Sequence, residues 1–159
     1  MRHPILQFVL SLTVLMGLPA LAAQQPITHE FSLANGLKAI VREDHRAPIV
    51  VSQLWYKVGS SYETPGSTGL AHALEHMMFK GSSKLGPGES SRILRELGAQ
   101  ENAFTSDDYT AYYQVLARDR LEVALEMEAD RLAGLTLPED EFLREIEVVK
   151  EERRMRADD

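Results

Sequence analysis

The 159-residue chain contains no cysteine. No disulfide can brace it, whatever compartment it reaches, and no thiolate can hold a metal. Metal chemistry, if present, must use histidine and carboxylate. Basic residues are also scarce, with 17 Lys+Arg against 24 Asp+Glu. Residues 1–22 contain one of the basic residues, Arg2, and none of the acidic ones. The remainder therefore carries 16 against 24, a formal charge of −8. This balance argues against nucleic acid as a partner, because phosphate binding needs a basic surface. It argues more weakly against an anionic membrane surface. Internal repeats and low-complexity linkers are absent.

Long apolar runs are missing too. The longest candidate, Ile5–Met16, is interrupted by Gln7, Ser11 and Thr13. It is short for a bilayer span, which takes about 20 residues. Arg2 supplies a positive start, Gly17 and Pro19 break the run, and Ala20-Leu21-Ala22 offers an A-x-A cleavage site. The pattern predicts a secretory signal peptide over residues 1–22, cut after Ala22 or Ala23. It further predicts an exported protein of bacterial style, periplasmic, with no stable membrane anchor after cleavage.

The remainder reads as α+β, with an antiparallel-rich sheet packed against helices. Ile27–Leu33 and Leu37–Glu43 flank Asn35-Gly36, a hairpin signal. Ile49–Val58 is a β-branched and aromatic run whose Trp55 and Tyr56 read as core or sheet-face residues. His29 and His45 are isolated and are read as having no ligand role. A Gly/Ser/Pro loop covers Lys80–Glu89, and a helix covers about Ser91–Leu97. Asn102–Thr105 is extended, Asp107-Asp108 turns, and Thr110–Leu116 returns as a strand; alone this is a plain hairpin. A further helix is expected over Arg118–Leu132, with Leu121, Leu125 and Leu132 as its apolar positions. The last helix should begin near Leu137, with Thr136 and Glu139 as a capping box and Phe142, Ile146 and Val149 as its apolar stripe.

The chemistry concentrates in His72-Ala73-Leu74-Glu75-His76. This is H-x-x-E-H, the inverted zincin signature. Residues four apart share one face of a helix. His72 and His76 are thus placed to direct two imidazoles at one metal, with Zn–N bonds of roughly 2.0–2.1 Å. Glu75 precedes the second histidine and is the candidate general base for an attacking water. Leu70, Ala71, Ala73, Leu74, Met77 and Met78 are good helix formers around it.

A catalytic zinc takes three protein ligands and keeps one position open. The best source of the third is the acidic helix Glu145–Arg154. Glu145 and Glu152 lie seven apart, two turns along nearly one face. Either is a candidate ligand, the other then supporting it. On periodicity alone, this is an ordinary solvated helix laced with i,i+4 charge pairs.

Three blocks, Gly69–Ser82, Asn102–Thr105 with Thr110 and Tyr112, and Glu145–Glu152, together resemble the pitrilysin/insulinase (M16) family of zinc peptidases. The likeness runs from about Ile27 to the chain end, with no departure at the metal-binding positions. It implies a pitrilysin/insulinase-like metallopeptidase domain holding one Zn2+. In it, His72 and His76 are the first two ligands and Glu75 the base. Glu152, 80 residues after His72, rather than Glu151, is the implied third ligand, and Glu145 a second glutamate kept near the metal. The likeness also implies that the strand carrying Asn102 and Ala103 presents its edge to the substrate backbone, which gives sequence-tolerant affinity.

Family members are much longer, with repeated α+β domains enclosing a chamber. The last helix shows no Gly, Asn or Pro stop before Asp159. Residues 23–159 therefore read as the N-terminal part of a peptidase domain, incomplete in this chain. The resemblance implies a zinc endopeptidase acting on peptides or unfolded segments, working with a second copy or a related subunit. The rival reading is a non-catalytic relative serving as a binding or assembly subunit. Such relatives usually lose the metal residues, which this chain keeps. A structural zinc site would want a fourth ligand, and no candidate is evident.

Overall fold

The computed structural model describes residues 27–157. The expected signal peptide, residues 1–22, lies outside them. The chain divides into two units, up to His45 and from Arg46 onward.

The described part of the first unit is a hairpin. β1 (Thr28–Ser32) and β2 (Lys38–Arg42) pair antiparallel, with Thr28 opposite Arg42 and Ser32 opposite Lys38. The Asn35-Gly36 signal was legible because both residues act chemically. Gly36 takes φ +86°, which costs a glycine little, and Asn35 Oδ1 accepts the Leu37 N–H at 3.1 Å.

The second unit holds a three-stranded antiparallel sheet in the order β3 (Ile49–Tyr56), β5 (Thr110–Ala117), β4 (Gln100–Thr105). Register puts Leu54, Tyr112 and Ala103 in one row, and Tyr56, Thr110 and Thr105 in the next. Both rows lie on the face covered by helices. α1 (Leu70–Met77), α2 (Glu89–Glu96) and α3 (Leu121–Gly134) all contact strands of this sheet, and α1 also packs on α4 (Glu139–Ala157). Met77 of α1 and Leu94 of α2 are the largest fully buried side chains. Each contributes about 1.5–3 kcal/mol by leaving water. The opposite sheet face is open, with Trp55 packed edge-on to Phe104 (5.9 Å between ring centroids) and tilted against Tyr109 (4.9 Å).

Two helices differ from expectation. In α3 the leucines Leu125 and Leu132 face outward, and the buried side is Ala124, Met127, Glu128 and Arg131. The charges are tolerated because they meet each other. Arg131 Nη2 lies 3.2 Å from Glu128, the Gln114 amide donates to the same carboxylate, and the guanidinium stacks 5.1 Å and 5.3 Å from the Phe79 and Tyr112 ring centres. In α4, Glu139 is the first helical residue rather than the third, so Thr136 and Glu139 do not form a capping box. Thr136 instead gives its N–H to the Gly81 carbonyl at 3.1 Å, and Phe142 N–H bonds the Pro138 carbonyl at 2.9 Å. Phe142 is exposed. The inner stripe is Glu141, Glu145, Val149 and Glu152, beside Ile146.

Among the described residues, no helix is long and apolar enough to cross a membrane.

Candidate metal centre

α1 starts after Gly69, which sits at φ +94° and has no side chain to cap the helix. Glu63 supplies the missing cap from outside. Its two oxygens accept the N–H groups of Gly69 (2.7 Å) and Ala71 (2.8 Å). These backbone donors, Ala71 first, hold the Glu63 carboxyl below the ordinary carboxylate value. Ala71, Ala73 and Met77 then face the core, which leaves His72, Glu75 and His76 half-buried on the remaining surface.

The two histidines converge, with His72 Nε2 3.3 Å from His76 Nε2. Glu152 reaches in from α4, 3.3 Å from His72 Nε2 and 3.7 Å from His76 Nε2. Exposed Arg156 stands 3.7 Å from the same carboxylate on the solvent side. Among the described residues these three form the one cluster of potential metal donors, with donor atoms all within 4.8 Å of one another. Two donors each roughly 2.0–2.1 Å from a tetrahedral ion stand about 3.3–3.4 Å apart. The observed spacing fits a divalent ion of zinc's kind.

Support comes from behind. His76 Nδ1 lies 3.0 Å from Glu145 Oε2, and Lys80 Nζ lies 2.6 Å from the other oxygen of that carboxylate. The first contact assigns the His76 proton to Nδ1 and leaves Nε2 a lone pair aimed at His72. Burial pushes the Glu145 carboxyl up, but the bonds and charges of Lys80 and His76 prevail, so it sits below the ordinary value. Glu151 points away and pairs with Arg154 at 2.8 Å on the solvated face.

Glu75 faces the sheet. Its carboxylate accepts a hydrogen bond from the Thr105 hydroxyl at the end of β4. Asn102 is exposed on the same strand and Ala103 is half-buried. Among the described residues, β4 pairs with β5 alone, so its other edge carries no strand. Asn102 Oδ1 accepts the Ala103 N–H at 2.9 Å, which occupies one main-chain donor.

His72, His76, Glu145 and Glu152 thus come together across α1 and α4, Glu75 turns to Thr105 at the end of β4, and Asn102 and Ala103 lie on that edge strand. Sequence reading missed three supports. Glu63 had a readable signal, since a glycine before a helix leaves the cap to another oxygen. Lys80 lies four residues after His76, beyond the end of α1. The Thr105–Glu75 contact spans 30 residues and has no local signal.

Comparison with known proteins gives the family. The family model "Insulinase (Peptidase family M16)" matches residues 38–158. The chain is 40% identical over 134 residues to "Zinc protease PqqE" of Helicobacter pylori, covering 84% of this chain and 30% of that protein. It is 37% identical over 127 residues to "Mitochondrial-processing peptidase subunit beta" of Bos taurus, covering 80% of this chain and 26% of that protein. The crystal structure of a protease from Helicobacter pylori superposes with TM-score 0.79 at 39% identity, over 84% of this chain and 32% of that one. The chain therefore spans between a quarter and a third of the length of these curated relatives. On the extent of the family match and the pitrilysin-like fold, the chain belongs to the insulinase family, peptidase family M16.

Proposed function

We propose that the protein is a zinc-dependent endopeptidase that hydrolyses peptides or unfolded protein segments. One observation carries this reading. Three donors from two helices converge at tetrahedral spacing, while the glutamate between the histidines accepts a strand hydroxyl and is not one of the donors. His72, His76 and Glu152 are the ligands, and Glu145 holds the His76 ring. A zinc bound there would polarise the scissile carbonyl and make a water acidic enough to lose a proton near neutral pH.

The remaining work falls to side chains. Glu75 accepts a proton from the attacking water as the new C–O bond forms. It then returns a proton to the amine nitrogen as the C–N bond breaks. The open edge of β4 receives the substrate as an added strand, with Asn102 and Ala103 at the contact. Main-chain pairing of that kind suits unfolded or extended substrates and does not read their sequence closely.

The cellular setting follows from other features. The leader pattern in residues 1–22 supports export to the periplasm. Residues 23–159 serve as the N-terminal part of a longer peptidase domain, and a second copy or a related subunit helps hold the substrate. Similarity to a protein named as a subunit supports the second point. The acidic balance disfavours nucleic acid.

The test uses the full-length protein and a quenched-fluorescence peptide. Chelation should abolish cleavage and added zinc should restore it. Cleavage that survives complete zinc removal would refute the reading.

A further inference from the structure

Thr105, Thr110 and Tyr112 belong to the sequence block around Asn102 and Ala103, yet substrate pairing along β4 gives them no task. Tyr112 is buried against Phe79 and Tyr56. The two threonines stand directly opposite one another in the β4–β5 register, on the face that meets α1. Their hydroxyls are 3.2 Å apart.

Counting protons shows what Thr105 is free to do. Thr110 spends its single hydroxyl proton on the Val58 carbonyl, at 3.0 Å. It therefore meets Thr105 with lone pairs only. The one proton on Thr105 goes to Glu75 Oε2. A glutamate's terminal torsion is broad, so an unheld carboxylate samples many orientations. Threonine is stiff at χ1, and here it sits on a strand paired along its length.

We propose that Thr105 is a positioning residue for Glu75: it fixes the carboxylate of the base relative to the strand whose edge receives the substrate. Base and peptide would then be aligned by one rigid element. This rests on the reading of Glu75 as general base.

The two ideas fail separately. In the full-length zinc enzyme, Thr105→Val keeps the shape and removes the donor. The expected result is kcat lower by roughly 10- to 100-fold, with KM within about twofold and zinc content unchanged. Thr105→Ser should recover most of the loss. A structural role would not give that split, because a misfolded edge would raise KM or lose metal.

A second readout needs no turnover. In metal-free protein, Thr105→Val should lower Tm, and the drop should shrink in a Glu75→Leu background, since the partner is already gone. Wild-type kcat in Thr105→Val, or equal Tm drops in both backgrounds, would overturn the proposal. Normal turnover in Glu75→Gln would instead overturn the function reading on which it stands.

Discussion

Among the described residues, two histidines and a glutamate meet twice, with opposite outcomes. On the hairpin, His29 and His45 each bond one oxygen of Glu43, at 3.1 Å and 3.0 Å. Both rings use Nε2 for that bond. All three side chains are well exposed, at 53%, 82% and 40%. Their attraction is screened, and exposed pairs of this kind contribute little. On α1 and α4, His72, His76 and Glu152 are 20%, 17% and 31% exposed. Glu145 occupies Nδ1 of His76, so the Nε2 of that ring is left to face His72 Nε2, and the two Nε2 atoms share the Glu152 carboxylate. Residue type is the same in both trios. What separates a donor set from a surface ion pair is the support behind the ring, which decides which nitrogen is left open.

The largest contrast is in metal content. Full-length His72→Ala or His76→Ala should fall from one zinc per chain to nearly none, whereas His29→Ala and His45→Ala should keep it. Metal analysis after dialysis measures both. Loss of zinc from the hairpin variants would erase the distinction between the trios.

Next comes the separation of base from ligand. Glu75→Gln should lower peptide cleavage by about 10²–10⁴-fold while zinc stays bound, since it removes a proton acceptor and no ligand. Peptide turnover measured beside metal content shows whether the two come apart.

Removing the support behind His76 should cost less than removing a ligand. Glu145→Ala should weaken zinc binding by about 10–100-fold, as such changes do elsewhere, and lower activity in step. Competition with a chelator measures it. An unchanged affinity would mean that the ring needs no such support.

The smallest effects concern acid. Glu63 and Glu43 both have lowered carboxyl pKa values in the folded chain, Glu63 through backbone donors and Glu43 through His45 first and then His29. A lowered folded value means stability that is present above the ordinary value of 4.5 and lost as pH falls through the lower one. In metal-free protein, Tm should fall across that window, and Glu63→Gln should flatten the fall because no carboxyl remains to titrate. Glu43→Gln should flatten it less, because that trio is more exposed. Thermal melts across the window read both slopes.

Much of this was legible in the chain. The hairpin turn, the α+β order and the helix carrying His72, Glu75 and His76 follow from local chemistry: a left-handed glycine, alternation, and residues four apart. Resemblance, not periodicity, singled out Glu152, because the apolar pattern of α4 misleads. Phe142 looked like core and is exposed, while the inner stripe carries Glu141, Glu145 and Glu152. Leu125 and Leu132 misled in the same way on α3, where Glu128 and Arg131 are buried as a pair. A hydrophobic-stripe reading assumes that helices bury apolar faces. It fails where charges are buried against partners that sequence distance hides, such as Gln114 for Glu128 or Lys80 for Glu145.

Glu151 and Glu152 offer the sharpest single measurement. They are adjacent, about 100° apart on the helix, and of one type, so they differ only in the face they occupy. Zinc content per chain, measured after dialysis on full-length Glu151→Gln and Glu152→Gln, isolates that difference. Glu151→Gln should retain one zinc and Glu152→Gln should lose most of it. Retention in Glu152→Gln with loss in Glu151→Gln would contradict the site.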